Sequence, residues 1–269
     1  MATKHYENFP VASLLLPGRF RHPVAQIYRF AREADDFADE GDAPDDVRIR
    51  QLRSFLAELD RIEQGYPPEI PWFESLAAVI RDYHLPLDAF RDLLSAFAQD
   101  VTQKRYASFD QVLDYCRRSA NPVGRLLLEL FGAATPPNLA QSNAICSSLQ
   151  LINFLQDVAI DFGKGRIYLP QDELVRFGIS EAQIARRDAG GNWPALMAYQ
   201  IERASALLMT GAPLAQQLGG RIGLELRMIV QGGNRILEKL AQTGGDVFHQ
   251  RPVLKWFDWP LLFARALIR

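Results

Sequence analysis

The stretch Asn153–Pro170, NFLQDVAIDFGKGRIYLP, decides how the rest of the chain is read. Asn153, Asp157 and Asp161 recur every four residues. On an α-helix a step of four overshoots a full turn by only about 40°, so the three oxygen-bearing side chains form one slightly winding polar row. Ile152, Phe154, Leu155, Val158, Ile160 and Phe162 lie among them and read as core residues. Oxygen acceptors beside a core face are costly to bury without a positive partner. A hard divalent cation, which takes oxygen ligands, meets that need. Lys164 and Arg166 follow at once, as expected where an anion must also be held.

A second acidic set lies upstream, in YRFAREADDFADE (Tyr28–Glu40). Asp35 and Asp39 are i and i+4 and share a helix face; Arg32 lies near that face and Asp36 is rotated away from it. Alone, this reads as a solvated acidic helix end. Carboxylates near a helix C-terminus are electrostatically unfavourable, however, and a cation would relieve them. If the two helices face each other, five oxygen ligands converge on one volume. Mg²⁺ prefers a few carboxylates plus substrate phosphate oxygens to an all-protein cage. Bound there, it would neutralise a departing diphosphate, with Arg32, Lys164 and Arg166 on the remaining oxygens. The surrounding Phe, Leu, Ile and Val suit a hydrocarbon chain. The residue chemistry alone therefore suggests ionisation of a lipid diphosphate.

The remaining pattern is helical nearly throughout, with proline marking the breaks. It predicts helices over about Pro23–Glu40, Asp45–Gln64, Trp72–His84, Pro86–Lys104, Phe109–Phe131, Asn138–Phe162 and Gln171–Phe177. Another starts at Ser180, capped with Gln183 at its third position, and two long ones cover Trp193–Leu218 and Arg221–Gln242. Asn121–Pro122 predicts a break inside Phe109–Phe131. With no repeat and no linker, residues 1–269 read as a single all-α domain, its helices packed around a central cavity.

Composition narrows the classes further. Hydrophobic residues at 48%, charged residues at 23% and a net charge of −2 are ordinary for a globular protein and give no reason to expect nucleic acid. Cys116 and Cys146 fit no metal spacing or disulfide framework and read as reduced core thiols. The opening MATKHYENFP lacks a signal-peptide core, and no apolar run approaches the ~20 residues that span a bilayer. A cytoplasmic location is expected. The last segment, WFDWPLLFARALIR (Trp256–Arg269), has two readings: an interfacial helix peripheral to the inner membrane, or a helix docked on the body.

Three stretches, IYRFAREADDFADE (Ile27–Glu40), YCRRSANPVG (Tyr115–Gly124) and LQLINFLQDVAIDFGKGRIYLP (Leu149–Pro170), resemble the squalene and phytoene synthase family in content, order and separation. The resemblance covers nearly the whole chain and implies an all-α isoprenoid-synthase bundle around an apolar cavity. It implies that Asp35 and Asp39 form one metal-binding pair and Asn153, Asp157 and Asp161 the other, with two or three Mg²⁺ ions and the substrate diphosphate. It further implies diphosphate contacts at Arg32 and Arg166, cavity tyrosines at Tyr28, Tyr115 and Tyr168, and substrate contacts at Phe9, Gln150, Phe154 and Lys164.

Departures from the family pattern point to one branch. His5–Pro17 reads HYENFPVASLLLP, where relatives usually carry Ser or Lys before the first Phe. Gln156 stands where they carry Arg, and Ser119–Gly124 reads SANPVG in place of V-A-G-x-V-G. Loss of a cation at 156 puts a direct carry-over of diphosphate handling in doubt. These variants resemble the enzymes that make hydroxysqualene in bacterial hopanoid pathways. Such enzymes are carbon–oxygen lyases that act on presqualene diphosphate supplied by a separate synthase and let water capture the product cation. No NADPH is then expected. Asn121, together with Tyr115 or Gln150, is expected to place the quenching water, unless Asn121 simply starts the Pro122 turn.

Overall fold

A computed structural model describes residues 16–268; Phe9 and its neighbours lie outside the described residues. Thirteen helices are present among the described residues. In chain order they are α1 Gly18–Asp39, α2 Asp45–Glu63, α3 Phe73–Asp82, α4 Leu87–Thr102, α5 Phe109–Ser119, α6 Asn121–Leu130 and α7 Pro136–Gly163. They continue as α8 Gln171–Phe177, α9 Glu181–Ala185, α10 Trp193–Gly211, α11 Leu214–Leu218, α12 Gly220–Gln242 and α13 Asp258–Ile268. The sole strand-like pairing in this region is one parallel bridge, Arg105 to Ile167.

The helix boundaries follow local chemistry, with two corrections. α1 starts at Gly18, five residues before the expected Pro23, which sits inside the helix. So early in the helix the missing N–H costs one bond, to the Arg19 carbonyl, and the Tyr83 hydroxyl lies 3.5 Å from that oxygen. The helix expected over Trp193–Leu218 is two, because Pro213 cannot donate to the carbonyl four residues back and would clash with it. The Asn121–Pro122 break is present between α5 and α6. Thr135 caps α7 by accepting from the Asn138 N–H, and Ser180 caps α9 by accepting from the Gln183 N–H at 3.2 Å.

Two apolar cores flank the centre. One joins α1–α4 around Phe30, Phe55, Phe73 and Phe90, with Phe30 and Phe90 packed edge to face at 5.0 Å. The other gathers α5 and α7–α13 around Trp193, Leu196, Met197 and Leu208. α6 serves both, giving Leu126 and Leu130 to the first and Leu128 to the second. α7 belongs to the second core, to which it gives Ile145, Leu151, Ile152, Leu155 and Val158. Its first half is held between α6 and α10 by close backbone approach. A side chain on Gly124 would overlap Ser142 Oγ and Cys146 Sγ, and one on Gly211 would overlap the Gln141 carbonyl and Ile145. Cys116 and Cys146 are both free thiols.

α13 settles against α12 through a buried face of Asp258, Leu262 and Ala266. Asp258 accepts from Arg235 Nε at 2.8 Å and from Lys239 Nζ at 2.5 Å. No described helix is long and apolar enough to cross a membrane.

Gly211→Ala should destabilise the fold by about 1–3 kcal/mol, because its contact is with backbone that cannot move aside. Gly233→Ala, whose added carbon would meet only the side-chain ends of Leu208, Leu149 and Ile152, should cost less. Urea unfolding of both variants makes the comparison; equal losses would refute a backbone-set spacing between α7 and α10.

Candidate active site

The row on α7 opens onto a cavity of about 950 Å³. Gln150, Asn153, Phe154, Asp157 and Asp161 line it from α7, and Arg32, Asp35 and Asp39 from α1. The segment after α7 adds Lys164, Arg166 and Tyr168, and α5 adds Tyr115. A second cavity of about 450 Å³ adjoins it, sharing Val123 and Leu149, and its wall is almost wholly apolar. Tyr28 lines this apolar cavity. Most of the residues singled out from the sequence therefore converge on one polar chamber with a hydrocarbon-lined annex.

Two do not. Phe9 lies outside the described residues. Asn121 lines neither cavity; at the start of α6 its Oδ1 accepts from Ser147 Oγ at 2.9 Å. Ile160, read as core, is half exposed at the cavity rim.

The charges are arranged unequally. Asp39 is held by Lys164 and by the buried Arg166. Burial opposes ionisation there, but Arg166 and Lys164 outweigh it and keep the carboxyl below the usual range. Asp157 is gripped by Arg251 through two contacts, Nε to Oδ1 at 2.5 Å and a terminal nitrogen to Oδ2 at 3.1 Å. Their helix partners lack such cover. Enclosure in the cavity wall and then the Asp39 charge push Asp35 up to about 7. Enclosure and the Asp157 charge push Asp161 up to about 8. Arg32 leans toward Asp36, at 2.8 Å, and is 3.7 Å from Asp35. The residue judged to point away from the ligand face thus takes the shorter ion pair.

Beneath this layer sits a group that sequence reading missed. Asp100 of α4 is buried and accepts from the Tyr115 hydroxyl at 2.5 Å and the Tyr168 hydroxyl at 2.6 Å. Burial raises it to about 6, against the two hydroxyl donors. Tyr168 stacks on Phe154 with centroids 3.8 Å apart and planes 8° from parallel. A signal for Asp100 existed. Leu93, Ala96 and Asp100 share one helix face, which places an acid on an apolar stripe. Arg251 carried none, since it lies in the aperiodic segment between α12 and α13.

The donor set suits a hard cation with an anion. It consists of oxygens only, two of its carboxyls are raised by burial and by a neighbouring carboxylate, and buried Arg166 Nε has no hydrogen-bond partner. Among the described residues, no three acidic, histidine or cysteine side chains form a ready-made metal cage. The five expected ligands share a chamber without closing on one point, and Arg251, Lys164 and Arg166 occupy two of the carboxylates.

The squalene/phytoene synthase pattern matches residues 2–258, and the chain belongs to that family. It is 35% identical over 255 residues to a hydroxysqualene synthase of Rhodopseudomonas palustris, covering 93% of this chain and 86% of that protein. The crystal structure of a squalene synthase from Alicyclobacillus acidocaldarius is 34% identical with a TM-score of 0.82, covering 89% of this chain and 90% of that one. A dehydrosqualene synthase structure, 22% identical, shares the fold with a TM-score of 0.85, covering 94% of this chain and 88% of that one.

The raised carboxyls carry a pH signature. Below about pH 4 both the folded and unfolded forms of Asp161 are protonated. Between there and about pH 8 the folded protein holds a proton that the unfolded chain has lost, so stability falls as pH rises. Asp161→Asn should raise the Tm of chelator-treated protein by about 3 °C at pH 8.5 and change it little at pH 5. Thermal melts at both pH values test this; a gain of the same size at pH 5 would contradict it.

Proposed function

We propose that this protein is a hydroxysqualene synthase. It ionises presqualene diphosphate, and water captures the rearranged cation to give hydroxysqualene and diphosphate. The observation that carries the reading is the juncture of two acid sets, on α1 and α7, with an apolar cavity that shares a wall with theirs. The similarity to a hydroxysqualene synthase over most of the chain supports it.

In this reading Asp35, Asp39, Asn153, Asp157 and Asp161 hold Mg²⁺, which supplies charge neutralisation for the leaving diphosphate. Arg32, Lys164 and Arg166 orient the diphosphate oxygens, and the unpartnered Arg166 Nε–H is one donor ready for them. The C–O bond breaks with its electron pair leaving on diphosphate. Phe154 and Tyr168 line the chamber as a stacked aromatic pair, and aromatic rings stabilise a nearby cation. Tyr115 and Tyr168, their hydroxyls turned onto Asp100, form the polar floor beside it. Water then adds to the cation and loses one proton. With Asn121 engaged by Ser147, the water-placing role passes to Tyr115 or Gln150 on the cavity wall. The substrate implies a separate enzyme that condenses two prenyl diphosphates, and no NADPH is consumed. A condensing synthase is the competing reading, favoured by the resemblance to a squalene synthase structure.

The outer face of α13 supports peripheral attachment to a membrane. Pro260, Leu261, Phe263, Ala264, Leu267 and Ile268 are its exposed positions, and all are apolar. Trp256, 82% exposed, and Phe257 precede them. A surface helix with an apolar outward face seats at a lipid interface.

Product analysis by mass spectrometry, with Mg²⁺, separates the enzyme readings. Presqualene diphosphate should yield hydroxysqualene with or without NADPH, and farnesyl diphosphate alone should yield no C30 product; C30 product from farnesyl diphosphate would establish the condensing alternative. Chelation, or Asp157→Ala with Asp161→Ala, should abolish turnover, and full activity in either case would sink the metal assignment. In co-sedimentation with anionic phospholipid vesicles, wild-type protein should pellet, and a Trp256→Ser, Phe257→Ser, Leu267→Ser variant should stay in the supernatant. Wild-type protein left in solution would exclude the membrane reading.

A further inference from the structure

Gln156 lies one residue before a proposed metal ligand and is 1% exposed. Its Nε2 donates to the Pro252 carbonyl at 2.6 Å. The next residue of α7, Asp157, grips the preceding residue of the facing segment, Arg251. Two consecutive helix residues thus hold two consecutive residues of the strap formed by residues 243–257, which joins α12 to α13. On its far side the strap is tied by Lys239 Nζ to the Val253 carbonyl at 2.7 Å. Of these two hydrogen bonds to strap carbonyls, the Gln156 one lies beside the acid row.

We infer that Gln156 is the positioning residue for Arg251. It anchors the strap by its backbone at Pro252, so that the neighbouring Arg251 is presented to the chamber. The division of labour has a physical reason. An arginine at the buried position 156 would put a second cation beside Arg251, and like charges at such range repel. A neutral amide donor satisfies the buried carbonyl without that penalty. Because the anchor is to backbone, the Arg251 side chain can leave Asp157 for an anion while the strap stays in place. The part of this inference that concerns an anion rests on the function proposed above; the anchoring itself does not.

The test uses full-length Gln156→Leu and, to guard against misfolding through altered packing, Gln156→Met. Hydrogen–deuterium exchange of ligand-free protein should rise about tenfold in peptides spanning residues 249–254, the scale of one lost hydrogen bond, with α7 and the α1–α4 half unchanged. Titration with inorganic diphosphate and Mg²⁺ should show affinity weakened about tenfold in Gln156→Leu and similarly in Arg251→Gln. The double variant should be little weaker than either single one, because both remove the same placed charge. Unchanged strap exchange in both Gln156 variants would overturn the inference, and so would additive losses in the double variant. If wild-type protein bound no diphosphate with Mg²⁺, the proposed function would fall, and the exchange result would still decide whether Gln156 holds the strap.

Discussion

The gathering of five aspartate carboxyl groups in one chamber is the constraint on which the rest of this structure depends. Asp35, Asp39, Asp100, Asp157 and Asp161 all line it. Without ligands the protein meets the problem in three ways. Asp39 and Asp157 take cations from segments outside the two acid-bearing helices. Asp35 and Asp161 are pushed toward the neutral form. Asp100 is dispersed over two tyrosine hydroxyls. Each acid-bearing helix thus presents one carboxylate tied to a cation and one poised to exchange a proton, so both sides of the chamber can adjust when positive charge enters.

The apolar architecture supports this arrangement. One core seats α1 and the other α7, and the acid-bearing ends of both helices line one chamber. The polar chamber and its annex adjoin at Val123 and Leu149, so charged and hydrocarbon-lined surfaces lie side by side. The wall between floor and chamber is aromatic, with Tyr106, Tyr115, Phe154 and Tyr168 in mutual contact. Within it the Tyr115 and Tyr168 hydroxyls reach Asp100, and the Tyr106 hydroxyl accepts from Gln99 Nε2 at 3.3 Å.

What could be read from sequence was what periodicity encodes. The spacing of Asn153, Asp157 and Asp161, and of Asp35 and Asp39, lies within single helices, and the chamber receives all five. The proline at 122 broke its helix as expected, whereas those at 23 and 213 had to be weighed by their place within a helix. Asp36 drew Arg32 because a long side chain reaches past the face that spacing assigns it. Arg251 could not be found, for its partner is 94 residues away and its own segment has no period. Gln156 was legible as a departure, but its meaning required the Pro252 carbonyl. Asn121 was legible as polar, yet no local signal told that Ser147 would engage it.

The glycine contacts at Gly124 and Gly211 have a mechanical consequence for α7. They grip it near residues 141–146, while beyond them one face stays packed in the core through Leu151, Ile152, Leu155 and Val158. From Cys146 to Asp161 the helix runs about 22 Å, so a tilt of a few degrees as a packed unit moves the acid-bearing tip by roughly 2 Å. Substitutions in the gripped stretch, far from any charged group, therefore act on the aim of the tip, and the ties to Asp157 and Gln156 serve as guy-lines at its loaded end.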